Sequence, residues 1–256
     1  MTSLRQTPTW RSEKADGVTN AVREPMRTCR VCTAPVRGFE FCWRCAAHRR
    51  VVDVADVVAP LVYAVGGAES AAMLSTYKNH PVRARREQSA QVVAELLSSA
   101  IRLHEKCFGA VVGMSISVRT VIPSLTYRVG VHPLMSIAQS IGLIVDSVLT
   151  PGLDAQCDRR LRTGKFAVNP ASSVMDRHVL VIDDVWTTGS NAQSAALAMR
   201  RAGAAFVSVL VIGRWLSPGS PLTHPFLRAR LDTPYDPHVC PVTGGCCPSA
   251  PARRSP

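Results

Sequence analysis

Acidic residues are scarce in this chain. Eighteen Asp and Glu face thirty Lys and Arg, giving a formal charge of +12 and an isoelectric point near 9.8. Such a surface draws anions, whether phosphorylated metabolites, nucleic acid or acidic lipid. Aromatic residues are also few, at 5% of the chain, which leaves little material for a broad base-stacking platform. No apolar run is long enough to cross a bilayer, since residues 51–68 are interrupted by Asp53, Asp56 and Pro60; membrane insertion is therefore not expected. The opening residues lack the apolar core of a secretory signal, and the expected setting is reduced and cytoplasmic. What is plentiful is Ala, Val and Leu: 256 residues at 46% hydrophobic composition can bury one substantial core, and this composition suits an α/β protein.

The charge is unevenly placed. Residues 1–50 hold ten Lys and Arg against four Asp and Glu, half of the whole excess. Within that stretch, residues 29–45 read CRVCTAPVRGFEFCWRC. Cys29-x2-Cys32 and Cys42-x2-Cys45 are two knuckles, each offering two sulfurs to one metal, and together they complete the tetrahedral shell of a structural zinc ribbon. Disulfides and a redox pair are the competing readings, and both fit paired knuckles in a reduced setting less well. The other cysteines have weaker spacing. Cys240, Cys246 and Cys247, with His238 nearby, are metal-type donors, but C-x5-C-C has no strong mechanism behind it and the expectation is a tail with free thiols. Cys107 and Cys157 read as isolated thiols, the first packed at a helix end.

Residues 1–26 are polar and aperiodic and read as a flexible basic tail, followed by the ribbon at 27–50, a main domain at 51–216 and a Pro/Gly/Cys-rich tail at 217–256. Residues 88–106 place Val92, Val93, Leu96, Leu97, Ala100 and Leu103 on one helical face. Residues 109–122, rich in β-branched side chains and ending at Pro123-Ser124, predict a buried strand or strand pair. A helix is expected over 132–143, a long loop of the kind that forms lids over 151–176, a strand at 179–182, a helix from Ser190 to about Arg201 and a parallel strand at 206–212.

The stretch VLVIDDVWTTGSN, residues 179–191, carries the chemistry. Asp183 and Asp184 end an apolar strand, where α/β proteins bind their ligands. Thr187, Thr188, Gly189 and Ser190 then lead into a helix N-terminus, whose free amides and dipole favour a phosphate. Gly189 lets the backbone approach the anion, and the hydroxyls can donate further bonds. A ligand with vicinal hydroxyls near a terminal phosphate, such as a ribose 5-phosphate, satisfies both ends. Read blandly, the same residues end a strand and cap a helix.

This stretch resembles the signature of type I phosphoribosyltransferases. The resemblance implies a type I phosphoribosyltransferase fold, α/β with a mostly parallel central sheet flanked by helices, behind a small N-terminal zinc ribbon. It also implies that Asp183 and Asp184 hold the ribose hydroxyls of phosphoribosyl pyrophosphate, and that residues 187–191 cradle its 5′-phosphate. The binding set is then Asp183, Asp184, Val185, Thr187, Thr188, Gly189, Ser190 and Asn191, with Pro123 and Ser124 on the neighbouring strand end. A zinc ribbon before such a domain resembles the ComF (ComFC) family. Tyr77-Lys78, Val121-Ile122-Pro123-Ser124, Arg128-x3-His132-Pro133 and the segment containing Gln156, Arg162 and Phe166 stand where that family has comparable elements, so that the resemblance spans residues 29–214. Where the family has Arg-Gly-Phe-Asn this chain reads RVGVHPL, so no base-recognition role carries over.

The implied reaction transfers a phosphoribosyl group to an acceptor with release of pyrophosphate, and it needs cations at the leaving group more than a strong base. Magnesium with the ligand, Lys78, Arg128 and lid residues Arg159, Arg160, Arg162 and Lys165 are the expected sources, with Asp183 and Asp184 supporting the metal. His132 reads as a helix-start residue rather than a base. Three functions stay open: a transferase, a sensor of phosphoribosyl pyrophosphate or nucleotide without turnover, and a factor handling single-stranded DNA through the basic ribbon. For the third, Phe39, Phe41 and Trp43 are the available aromatics, which alternatively form the ribbon's own small core.

Overall fold

The computed structural model describes residues 18–126, 130–170, 172–228 and 233–248. In chain order the elements are α1 (Trp43–His48), β1 (Val57–Val65), α2 (Glu69–Asn79), α3 (Arg83–Val112), β2 (Val118–Val121), α4 (Pro133–Ser140), β3 (Leu149–Pro151), β4 (Phe166–Val168), β5 (His178–Trp186), α5 (Ser190–Arg201), β6 (Phe206–Leu216) and α6 (Thr223–Arg228). The chain is α/β. Four strands form a parallel sheet in the order β1-β6-β5-β2. β5 and β6 lie at its centre and read as almost unbroken apolar runs, because both faces of such a sheet are covered.

Alternation along the strands sorts the core into two layers. Leu180, Ile182, Leu210 and Ile212 face α2, α3 and α4, packing on Leu74, Val93, Leu97, Phe108 and Leu134. Val179, Val181, Val207, Val209 and Val211 face the other way, against Ala192, Ala195, Ala196 and Met199 of α5. Cys29, Cys32 and Cys45 belong to this second layer. The cysteine module is thus seated on the sheet rather than hung beside it, and the buried Tyr63 hydroxyl donates to the Thr33 carbonyl at 2.9 Å.

Several expectations need correction. Residues 109–112 are helical, not extended: α3 runs for 30 residues and stops at Gly113, whose φ of 82° turns the chain and whose N–H reaches the Gly109 carbonyl at 2.8 Å. Packing of Cys107 and Phe108 outweighs the strand preference of the valines that follow. The expected loop at 151–176 contains β4, which pairs antiparallel with β3. The expected tail at 1–26 is packed from residue 18 onward: Val18, Thr19, Asn20 and Ala21 are buried. Ala21 N–H donates to Leu61 and Tyr63 N–H to Thr19, so that this segment covers the open edge of β1. The expected C-terminal tail is likewise partly folded, with α6 on Tyr63 and with Tyr235 and Cys240 buried. No described helix is long and apolar enough to cross a membrane.

Candidate functional site

β5 extends past the acidic pair, so Asp183 and Asp184 are strand residues. Asp183 pairs with Val211, Val185 with Gly213 and Trp186 with Arg214. The register passes over one level, at Leu61, Asp184 and Ile212, and there the Asp184 amide donates instead to the Asp183 carboxylate at 2.9 Å. The register resumes unchanged beyond this level, so the alternation of faces continues through the acidic pair. Asp183 keeps the parity of Val181 and therefore the α5 face. Asp184 turns to the α2 face, where it is buried.

α2 reaches the pair because Gly213 has no side chain: Leu74 occupies the space where a Cβ would stand. That approach brings Tyr77 and Lys78 onto Asp184. The Tyr77 hydroxyl donates to Asp184 Oδ2 at 2.7 Å, and the Lys78 ammonium pairs with the same oxygen. Lys78, expected among the pyrophosphate contacts, is here the counter-ion of one acidic residue. Among the described residues no cation forms an ion pair with Asp183, since Lys78 sits on the neighbouring carboxylate. Loss of solvation, followed by the charge of Asp184, pushes the Asp183 carboxyl up to about 8, although Lys78 and the Asp184 amide pull in the opposite direction.

The turn after β5 is built around Trp186. This ring is buried and lies directly under Gly189, which has a φ of 78° and leaves no space for a Cβ. A left-handed backbone and a close approach thus require glycine at the same position. Gly189 is the N-cap of the 12-residue α5. Thr188 Oγ1 donates to Ser190 Oγ at 3.0 Å and accepts from Ser190 N–H at 3.3 Å, while helix geometry leaves the Asn191 and Ala192 amides without an acceptor inside α5. Below the turn the buried Arg214 donates to the Trp186 and Thr187 carbonyls at 2.9 and 3.2 Å.

Pro123 and Ser124 leave the sheet beside Asp183, because Val121 pairs with Ile182. Ser124 Oγ contacts Thr126 Oγ1 at 3.0 Å, and the two residues line a cleft of about 350 Å³ with Pro123, Leu125, Gly130, His132 and Pro151. His132 Nδ1 accepts from the Leu134 amide at the start of α4, a capping role. Arg128 lies outside the described residues. Of the expected lid cations two are engaged within the hairpin, while Arg159 and Arg160 are exposed: Arg162 bonds Asp154, Asp158 and Gln156, and the fully buried Lys165 reaches Asp158 and, at 3.2 Å, Asn191 Oδ1. Arg162 N–H also donates to Ser194 Oγ on α5. The hairpin is therefore docked on the N-terminal half of α5.

The cysteine module forms a second centre on the same face. The four sulfurs of Cys29, Cys32, Cys42 and Cys45 lie within 4.8 Å of one another, with Cys32 and Cys42 Sγ 3.8 Å apart. They compete for protons: hydrogen bonds from Cys29, Cys42 and Cys45 hold Cys32 well below an ordinary thiol, while Cys45 and Cys42 are pushed far up. A site that cannot ionise fully without a cation suits a tetrahedral metal, and zinc fits the four-sulfur set. The Arg214 charge favours the Cys32 thiolate, so one buried arginine serves both this centre and the turn before α5. His104, Cys107, Cys240 and Cys247 form another group of donor atoms within 4.8 Å. The sequence favoured free thiols in the tail and an isolated Cys107, whereas here Cys107 joins Cys240 and Cys247, and Cys246 and His238 are not members of the group. Phe39 and Trp43 are exposed rather than packed in a ribbon core, and only Phe41 is partly buried against the sheet layer.

No protein-family model matches this chain, and no curated protein matches it.

Proposed function

We propose that the protein has the type I phosphoribosyltransferase fold, as in the ComF family, and binds phosphoribosyl pyrophosphate, transferring its phosphoribosyl group to an acceptor with release of pyrophosphate. The observation that carries this reading is the Asp183-Asp184 pair in the carboxyl-terminal half of a central parallel strand, followed by a left-handed glycine at the start of α5. In this reading Asp183 meets the ribose hydroxyls, and the amides at 190–192 with Thr187, Thr188 and Asn191 meet the phosphate. Val185 positions the turn, and Pro123 and Ser124 offer backbone to the pyrophosphate. Lys78 moves from Asp184 to the leaving group. A carboxyl whose hold on its proton is raised by desolvation and by the neighbouring Asp184 suits a divalent cation, and magnesium held at Asp183 would supply charge to the pyrophosphate. Calorimetry with phosphoribosyl pyrophosphate and magnesium tests the reading: binding should disappear in Asp183→Asn with Asp184→Asn. Pyrophosphate release with a panel of bases and amines then separates a transferase from a sensor, since binding without release identifies the sensor.

The ribbon supports a second reading. Trp43 and Phe39 are 71% and 67% exposed, and the Arg44 guanidinium lies 4.1 Å from the Trp43 ring centroid. An exposed ring beside arginines fits single-stranded nucleic acid, which such groups hold by stacking and phosphate contact. Trp43→Ala should weaken binding of a fluorescent single strand, and affinity unresponsive to salt would contradict it.

A further inference from the structure

The second cluster joins parts of the chain that lie far apart in sequence. His104 and Cys107 stand one turn apart on α3 and are buried. The buried Cys240 and the exposed Cys247 come from the C-terminal segment, 133 and more residues later. All four donor atoms fall within 4.8 Å of each other.

The His104 ring is already oriented as a ligand. Its Nε2 lies 2.7 Å from the Pro237 carbonyl oxygen, which can only accept, so Nε2 carries the proton and Nδ1 presents its lone pair. Nδ1 faces Cys247 Sγ at 3.3 Å. A backbone carbonyl on the distal nitrogen is the usual means of fixing a metal-bound imidazole. The loop between the two late cysteines is folded for the same purpose. Cys240 N–H donates to the Gly245 carbonyl at 2.9 Å, and Gly244 N–H returns to the Cys240 carbonyl at 2.7 Å. Gly244 has a φ of 86° and packs so closely on Arg23 that a Cβ would collide with it. The chain turns back, and Cys247 arrives beside Cys240.

We propose that His104, Cys107, Cys240 and Cys247 bind a second structural zinc ion, which clamps residues 233–248 across α3 and onto the N-terminal segment. Three thiolates and one imidazole make a closed tetrahedral shell with no open position, the donor set of a structural rather than a catalytic site. The clamp is placed to matter. The segment it holds exchanges bonds of 2.9 and 2.8 Å between Asn20 and Asp236, and its Pro241 carbonyl accepts from Arg23 Nε at 3.0 Å. Residues 18–23, which cover the edge of β1, are thereby tied to it. This inference is independent of the phosphoribosyl reading.

Metal content of the full chain, purified under reducing conditions, is the test. Native mass spectrometry and elemental analysis should give about two zinc ions per chain, falling to about one in Cys247→Ser and in Cys107→Ser, and to about one in Cys45→Ser through loss of the other centre. Cobalt in the wild type minus cobalt in Cys247→Ser should leave the charge-transfer and d–d bands of a tetrahedral thiolate–imidazole site. Chelator treatment should expose residues 233–248 to protease before the rest of the fold. One zinc per wild-type chain with all thiols reduced overturns the proposal, whatever the folding of the variants. So does a disulfide within Cys107, Cys240 and Cys247 in the reduced preparation, or two zinc ions retained by Cys247→Ser.

Discussion

Replacing Asp183 with Asn should make the protein more stable while removing its proposed ligand binding. Asp183 lies within β5 with its solvation reduced and Asp184 next to it, and its carboxyl is raised to about 8. In the unfolded chain an aspartate ionises near about 3.9. Between these values the folded state holds a proton that the unfolded state has released. Stability attributable to this residue therefore falls as pH rises from about 4 to about 8, then levels off. Every tenfold difference in proton affinity between the two states corresponds to about 1.4 kcal/mol, so the full interval sets an upper bound of about 5–6 kcal/mol. Asp183 is only half-buried, and water at its open side reduces the effect; about 1–3 kcal/mol at pH 8 is the realistic gain. For a chain of this size that is a rise of about 3–10 °C in melting temperature. The assay is thermal unfolding of wild type and Asp183→Asn at intervals from about pH 5 to about pH 8, without divalent cations, where linkage requires the gap to widen with pH. A gap of constant size, or a variant less stable than wild type at the alkaline end, would refute the reasoning.

Gly189→Ala should cost about 2–4 kcal/mol in urea unfolding, since it imposes both a left-handed backbone and a collision with the buried Trp186 ring. Cys45→Ser should lower the melting temperature by about 10 °C or more and release bound metal, because the cysteine centre is part of the sheet-facing core; an unchanged melt would show that the module folds without its ion. His178 is buried between the Met114 carbonyl and Ser208 Oγ, and desolvation lowers its pKa. Its folded pKa lies below the unfolded value, so its contribution is intact above about pH 6.5 and fades as pH drops through that value. Thermal melts should steepen their loss there in wild type and less so in His178→Gln.

Elements governed by local periodicity were legible in the sequence. The stripe from Val92 to Leu103 became the middle of α3, α5 begins at Ser190 where the sequence placed its start, and the apolar runs at 179 and 206 are neighbouring parallel strands. β1 and α2 were not singled out, although residues 57–65 form an apolar run, because a short run does not distinguish a strand from a buried helical segment. The ends were the least legible. Residues 18–22 and 233–248 are fixed by scattered buried side chains such as Val18, Ala21 and Tyr235 and by individual bonds such as Asn20 to Asp236, which leave no periodic pattern along the chain.

The sequence by itself determined the chemistry available: two carboxylates before a glycine-led helix, and four thiols in two knuckles, are adjacent along the backbone and keep their spacing in any fold that accommodates them. Tertiary structure alone decided how those groups are used. Packing of Leu74 into the space at Gly213 delivers Lys78 and Tyr77 to Asp184 rather than to Asp183. The approach of the C-terminal segment to α3 assembles a second donor shell from residues more than a hundred positions apart. Contacts of that range depend on which surfaces the helices bury, and a linear pattern does not encode their partners.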